Sequence, residues 1–363
     1  MIKLQGIGTF PELPELAMYI YTGNVNALQA ARDKGWNIEE KICLSQHTSL
    51  SPLDLALITQ RFDVVKLLVE YGGVNLNVEK NPAFLRAVRY CNEDIVRYLV
   101  EQGAKLDGYN QVGSGGAYSQ AYFGNKKNIP LIQELGLDIK QHGGAVLRQA
   151  VSNFDMKTVT FLLDHGVDIN YQKPDMVYPY GATPLTVAAR MGNIAMGGKY
   201  LIERGGANVT LAEKDGERAY TIAVRMKNRE LANYLKALEP IELHTIENKK
   251  ERLKKYKLSE ELVNFLTGDR LHLELAPNDY DIHYIDFFQL TDTIEMKLGH
   301  RKLLLLSANI DNYSDLHIAW NPKGEGQIGC YDVEHEEYAN LCSFKEFIAR
   351  PEIYLIRFLE GEL

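Results

Sequence analysis

Cysteine is scarce in this chain: Cys43, Cys91, Cys330 and Cys342 are scattered through 363 residues with no paired spacing. That excludes a dense disulfide framework and a thiolate metal knuckle, and leads us to expect reduced thiols in a cytoplasmic protein. Long apolar runs are missing as well. Stretches such as Leu303–Leu306 fall far short of the roughly 20 residues a membrane helix needs, so no membrane partner is expected. The opening Met1-Ile-Lys-Leu-Gln-Gly6 has neither a charged head nor a sustained apolar segment, so no signal peptide is expected. Catalytic motifs are lacking too. There is no His-Glu-x-x-His, no Gly-Lys-Ser/Thr ending to a phosphate loop, and no Ser–His–Asp or Cys–His arrangement. We therefore expect no enzyme, no cofactor and no metal. The composition is 45% hydrophobic and 24% charged, which is that of folded domains, and the length exceeds one ordinary core.

What the chain does have is a beat. A Gly, or a residue in its slot, is followed twelve residues on by another Gly: Gly23…Gly35, Gln60…Gly72, Cys91…Gly103, Gly124…Gly136, Phe154…Gly166, and, with one extra residue, Gly192…Gly205. The leading slots stand at 23, 60, 91, 124, 154, 192 and 227, with separations of 37, 31, 33, 30, 38 and 35. The repeat is thus about 33 residues with insertions. Before each slot lies a short helical pattern with small alanines, such as Ser51-Pro-Leu-Asp-Leu-Ala56 or Thr183-Pro-Leu-Thr-Val-Ala188. Thr-Pro and Ser-Pro are helix-start signals. Between the slots runs a second helix with one apolar stripe, such as Ile95-Val96-Arg97-Tyr98-Leu99-Val100. The closing Gly suits a left-handed C-cap. A single helix pair cannot bury its own stripe, so the units must stack.

Over residues 14–238 this pattern resembles the ankyrin repeat, with Gly181-Ala-Thr-Pro-Leu-Thr-Val-Ala-Ala-Arg-Met-Gly192 as its best copy. Where the family has His in its Thr-Pro-Leu-His turn, this chain has Asp54 in one copy and Thr186 in another. Pro130 falls inside the second helix of the fourth copy, where it should kink or shorten that helix. The resemblance implies a surface for holding another protein.

The charges mark a boundary. The basic run 249–257 suggests either a nucleic-acid patch or a solvated linking helix, and we read it as the latter. Beyond it, residues 271–363 hold 17 Asp and Glu against 7 Lys and Arg, a balance of −10 where the whole chain carries −8. Such acidity disfavours nucleic acid and attracts a basic protein. Helices are expected over Leu258–Leu266, with Ser259 as N-cap, from Ser343 with Glu346 in a capping box, and over Glu352–Leu359. Strands are expected over His283–Leu290, Lys302–Ser307, His317–Trp320 and Gln327–Val333, with a turn over Asn321–Gly326. Phe287-Phe288-Gln-Leu290, the strand with Asp332 and Glu334, and the Ser343-Phe-Lys-Glu-Phe347 helix make residues 257–363 resemble the SUKH superfamily of cell-wall-assembly regulators and immunity proteins.

The expected fold is therefore an α solenoid of about seven ankyrin-type helix pairs over 1–240, a linker helix over 241–256, and a small α+β domain over 257–363. The two residues before each slot should end the inner helices and face a concave groove. They include Tyr21, Arg89, Tyr90, Tyr122, Phe123, Arg190, Met191 and Arg225, aromatic, Arg and Met side chains of the kind that dominate binding hot spots. The alternative is that some of the tyrosines pack against neighbouring repeats. The long finger 171–181 adds Tyr178 and Tyr180, and the acidic part adds Asp281, Asp286 and Glu334. Asp281 and His283 would share one strand face like two metal ligands, but without a further His at motif spacing they read as a polar edge. Gly113-Ser-Gly-Gly116 reads as a loop rather than a phosphate cradle. The two resemblances together imply a bacterial immunity protein that blocks a polymorphic toxin, with an adaptor joining two cellular proteins as the alternative.

Overall fold

The computed structural model describes residues 1–71, 73–109, 115–323 and 327–362. Gly72, Gly113 with Ser114, and the end of the Asn321–Gly326 turn lie outside the described residues. The chain forms two compact units. The first comprises Met1–Asp168 with Asp175–Pro179, and the second Ile169–Pro174 with Tyr180–Leu363.

The first unit opens with an antiparallel hairpin of β1 (Ile2–Leu4) and β2 (Gly8–Phe10), and carries a second hairpin of β3 (Ile42–Ser45) and β4 (Thr48–Leu50). Its helices come in pairs: α1 (Glu15–Thr22) with α2 (Val25–Asp33), α3 (Pro52–Ile58) with α4 (Phe62–Lys66), α5 (Ala83–Tyr90) with α6 (Glu93–Glu101), and α7 (Ala117–Phe123) with α8 (Asn128–Glu134). A short α9 (Ile139–His142) then precedes the pair α10 (Gly144–Ser152) and α11 (Met156–Asp164). The first helices of successive pairs pack on one another, α1 on α3, α3 on α5, α5 on α7 and α7 on α10. Four residues before the slot stand Ala56, Ala87 and Ala150, each fully buried, so the helices approach closely. In the fourth pair Gln120 takes that place, and its side chain accepts a hydrogen bond from Arg89 Nη1 at 3.0 Å.

The slot has a backbone meaning. Gly23, Gln60, Phe154, Gly192 and Lys227 all sit at φ between 55° and 75°, the left-handed turn that ends a first helix. Gly124 is there for another reason: a Cβ on it would lie 2.1 Å from the Arg89 carbonyl oxygen. The residue after the slot caps the second helix. Asn24, Asn92, Asp155 and Asn228 accept from the amides of Ala27, Ile95, Thr158 and Leu231. Neighbouring pairs are stitched by side chains donating back to carbonyls at or just before the slot: Arg61 to Tyr21, Asn125 to Cys91, and Asn228 to Gly192. Pro130 lies in the first turn of α8, where its missing N–H costs nothing, and the helix has seven residues against nine in α6 and α11. The expected shortening therefore occurs by a late start, not by a break.

The closing glycines need one correction. In the pairs opened by α3 and by α12 (Pro184–Arg190), the left-handed glycines are Gly73 and Gly206; Gly205 is not left-handed, and Gly72 lies outside the described residues. Both follow wider π-type segments, Leu67–Tyr71 and Ile194–Arg204, which absorb extra residues without breaking the helix.

The second unit starts with α12, held by a Thr183/Thr186 capping box that uses the position of the family's turn His. The pair α13 (Ala219–Arg225) and α14 (Arg229–Leu238) follows, with α13 packed on α12. Next come α15 (Ile246–Leu253) and α16 (Glu260–Thr267), the latter capped by Ser259 as expected. β5 (His272–Glu274), β6 (Tyr284–Phe287) and β9 (Ser307–Ile310) form an antiparallel sheet in the order β5-β6-β9. A second antiparallel sheet runs β12-β11-β10-β8-β7, built from β7 (Ile294–Leu298), β8 (Arg301–Leu305), β10 (Leu316–Asn321), β11 (Gln327–Asp332) and β12 (Glu337–Cys342). α17 (Phe344–Ala349), with the expected Ser343/Glu346 capping box, and α18 (Pro351–Leu359) close the chain. A core of Leu262, Leu266, Ile285, Ile318, Trp320 and Phe347 joins helices to sheets. The Trp320 indole donates to the Tyr256 carbonyl at 2.8 Å.

The basic run 249–257 is not wholly solvated. Lys249 is 4% exposed and donates to the Thr293 carbonyl, while Arg252 and Lys255 pair with Glu295. Burial, with Arg252 nearby, pushes the Lys249 ammonium down to about 8. The four cysteines are free thiols, and burial raises Cys91 to about 12.

Candidate functional site

The slot-flanking residues divide by burial and by charge. In the first unit Tyr21 is half-buried beneath the Arg61 guanidinium, 6.0 Å from the ring centroid. Tyr90 is 6% exposed, and its hydroxyl lies against Gly6 in the turn of the β1–β2 hairpin. Tyr122 is 4% exposed and meets Phe123 edge-on. Tyr90 and Tyr122 therefore fill space between elements instead of facing a groove, because inner-helix ends are where neighbouring repeats touch. Arg89 is engaged with Gln120 and lies over Tyr90. Phe123 stands out, 52% exposed, and so does Phe154 at a slot, which the sequence reading passed over. Tyr178 belongs to the packing: Arg148, fully buried, lies 4.9 Å over its ring and pairs with Asp175 at 2.5 Å.

In the second unit Met191 and Met226 are exposed, and the arginines beside them are paired with acids of the same unit. Arg190 forks onto Glu213, touches Glu217 at 3.3 Å, and lies 4.6 Å over Tyr180. Arg225 forks onto Glu217 at 2.8 Å. Burial opposes the Arg190 charge, yet Glu213 and Glu217 raise its pKa further. Burial, then Glu217 and Glu213, lift Asp215 to about 6. Glu213, Asp215 and Glu217 bring three carboxylates within 4.8 Å, a donor set that would suit a cation, and in this fold the guanidinium groups fill that role. Nothing in the repeat spacing pointed to these acids, since they lie in a turn between helix pairs.

A groove of about 760 Å³ lies between α13–α14 and the β5–β6 edge. One wall carries Lys227, Arg229 and Lys236, and the other Asp269, His272 and Asp286. Asp286 accepts from His272 Nδ1 at 2.7 Å and pairs with Lys227 Nζ at 2.9 Å, while Lys227 and His272 both lie against the Tyr284 ring. Partial burial works against Asp286, yet Lys227 and His272 hold its carboxyl below the usual carboxylate range. The lining also includes Tyr220, whose hydroxyl donates to Asp292 Oδ1 at 3.1 Å. Asp281 and Glu334 are exposed: Asp281 sits in a left-handed turn, and Glu334 follows Asp332 in a turn closed by Asp332 Oδ1. His283 turns to Asp311 at 2.7 Å and lies 3.8 Å from Asp281, consistent with a polar edge.

Stacked helix pairs with alanine contacts, left-handed slots and capped second helices define a repeat protein that presents side chains to a partner. The ankyrin-repeat family model matches residues 16–110 and 130–244, and the chain belongs to that family. An alignment over 141 positions, covering 35% of this chain, is 26% identical to the human transient receptor potential cation channel subfamily A member 1, of which it spans 13%. Among solved structures, the ankyrin repeat domain of human ASB11 is similar at TM-score 0.45 and 21% identity, covering 62% of this chain and 98% of that one. The ankyrin repeat domain of Bcl-3, described as a member of the IkappaB protein family, gives 0.46 and 24%, covering 63% and 100%. The ankyrin repeats indicate a protein-protein interaction domain. No helix among the described residues is long and apolar enough to cross a membrane.

Proposed function

We propose that the chain is an immunity protein that neutralises a bacterial polymorphic toxin, with a nuclease as the leading class, by forming a stoichiometric complex in the cytoplasm. The observation that carries this reading is the joining, in one chain, of ankyrin repeats to an α+β part whose residues 271–363 carry a balance of −10. We take residues 257–363 to be a SUKH-type domain, residues 1–240 the repeat array and 241–256 the link between them. A nuclease binds a polyanion and so presents cations, which the acidic part would attract and steer. Exposed groups such as Phe123, Met191, Asp281 and Glu334 are the proposed partner contacts, with Asp286 and Tyr180 held in place by their own ion and ring contacts.

The test is co-expression with a panel of bacterial toxin nuclease domains. Restored growth against one of them, through a complex whose association slows as ionic strength rises, is the expected result. No rescue, together with two cellular proteins bound at once, would replace this reading with an adaptor.

A further inference from the structure

A second hollow lies on the first unit, between α8 and α11, in the irregular stretch around Pro130. It has a volume of about 420 Å³, within the range of pockets that take a small ligand or a side chain. Its floor is apolar, made by Ile129, Pro130 and the half-buried Phe161. Its rim is basic, with Lys126, Lys127 and Lys157 all exposed. The one acid there, Asp155, is matched by Lys126 at 2.6 Å, and that pairing lowers the Asp155 pKa against its partial burial. Three lysines against one aspartate leave the rim positive. On either side of Asp155 in the chain, Phe154 and Met156 are 46% and 38% exposed, so apolar surface accompanies the charge.

We propose that this hollow docks an acidic peptide segment of a protein partner, which inserts one bulky apolar side chain onto Pro130 and Phe161 while its carboxylates meet Lys127 and Lys157. The inference rests on the reading of this chain as a protein-binding module and names the chemistry of one segment it holds. Charge complementarity selects the acidic flanks, and the apolar floor requires the anchor. A buried anchor with charged surroundings is the usual arrangement of a binding hot spot. A nucleic acid or any simple polyanion would use the lysines and leave the floor in water. α8 starts late, and Pro130 is exposed in its first turn at the mouth of the hollow.

The experiment measures fluorescence anisotropy of short labelled peptides on the full chain. The peptides carry a central Phe or Leu between runs of Glu, and the controls carry a central Ala or flanking Lys. The Glu-flanked Phe and Leu peptides should bind at least about tenfold more tightly than either control. The double variant Lys127→Glu/Lys157→Glu, altered only at exposed side chains, should lose that preference while keeping its thermal unfolding midpoint. Equal binding of the Ala-centred peptide would show charge alone at work and overturn the proposal. Binding unchanged in the double variant, or no binding by any Glu-flanked peptide, would do the same. Those failures are separable from failure of the immunity reading, which toxin rescue tests without any peptide.

Discussion

Arg190 ends α12 with its guanidinium forked onto Glu213, whose side chain is fully buried. A buried carboxylate stripped of its cation costs far more than a surface pair gains. Arg190→Met should therefore destabilise the second unit by about 3–5 kcal/mol in chemical denaturation, more than the loss of a surface contact would. A change under about 0.5 kcal/mol would show Arg190 to be a dispensable surface group. Asp215 makes the opposite case. Its folded pKa of about 6 lies above the ordinary carboxylate value, so the folded state binds the proton more tightly than the unfolded chain. The cost of its charge is absent below about pH 4 and complete above about pH 6. Asp215→Asn, which keeps the oxygen that accepts from the Glu217 amide, should raise the melting temperature near neutral pH, and the gain should fade towards pH 4. A gain independent of pH would contradict the assignment. Residue types were legible in the sequence here while their partners were not. Arg190 and Arg225 were visible as large cations at inner-helix ends, but Glu213 and Glu217 come from a turn whose position is set by tertiary packing. The same blindness hid Arg148 under Tyr178, and it turned Tyr90 and Tyr122 from expected contacts into buried ones.

At the scale of elements, periodicity served well where the backbone itself imposes it. The left-handed slots, the alanine contacts and the Ser259 and Ser343 caps follow from local chemistry and stand where the pattern put them. Strands β6, β8, β10 and β11 overlap the expected segments, whereas β5, β7, β9 and β12 gave no clear signal. β12 reads Glu-Tyr-Ala-Asn-Leu-Cys, and its pairing with β11 contains a bulge, so alternation is blurred. Helix α15 shows how a basic run can conceal a buried group. Lys249 faces the Thr293 carbonyl, and its pKa is pushed down to about 8. The unfolded chain holds that proton up to about pH 10.4, so the cost of the charge is complete below about pH 8 and is relieved as pH rises from there. The stability difference between wild type and Lys249→Met should accordingly move in favour of wild type between about pH 8 and 10. A flat difference would place the ammonium in water.

For the whole molecule, the ankyrin repeats indicate a protein-interaction domain, and the described surface offers exposed Phe and Met side chains beside charged groups. The immunity proposal requires such a chain to occupy its partner one to one. The most direct test of the proposed immunity function is to titrate the nuclease activity of the toxin domain picked out by growth rescue with increasing amounts of this protein. Activity should fall in a straight line and vanish at one molar equivalent. Loss of activity at a small fraction of an equivalent would reveal catalysis, and activity undiminished past one equivalent would contradict the claim that this chain neutralises by binding.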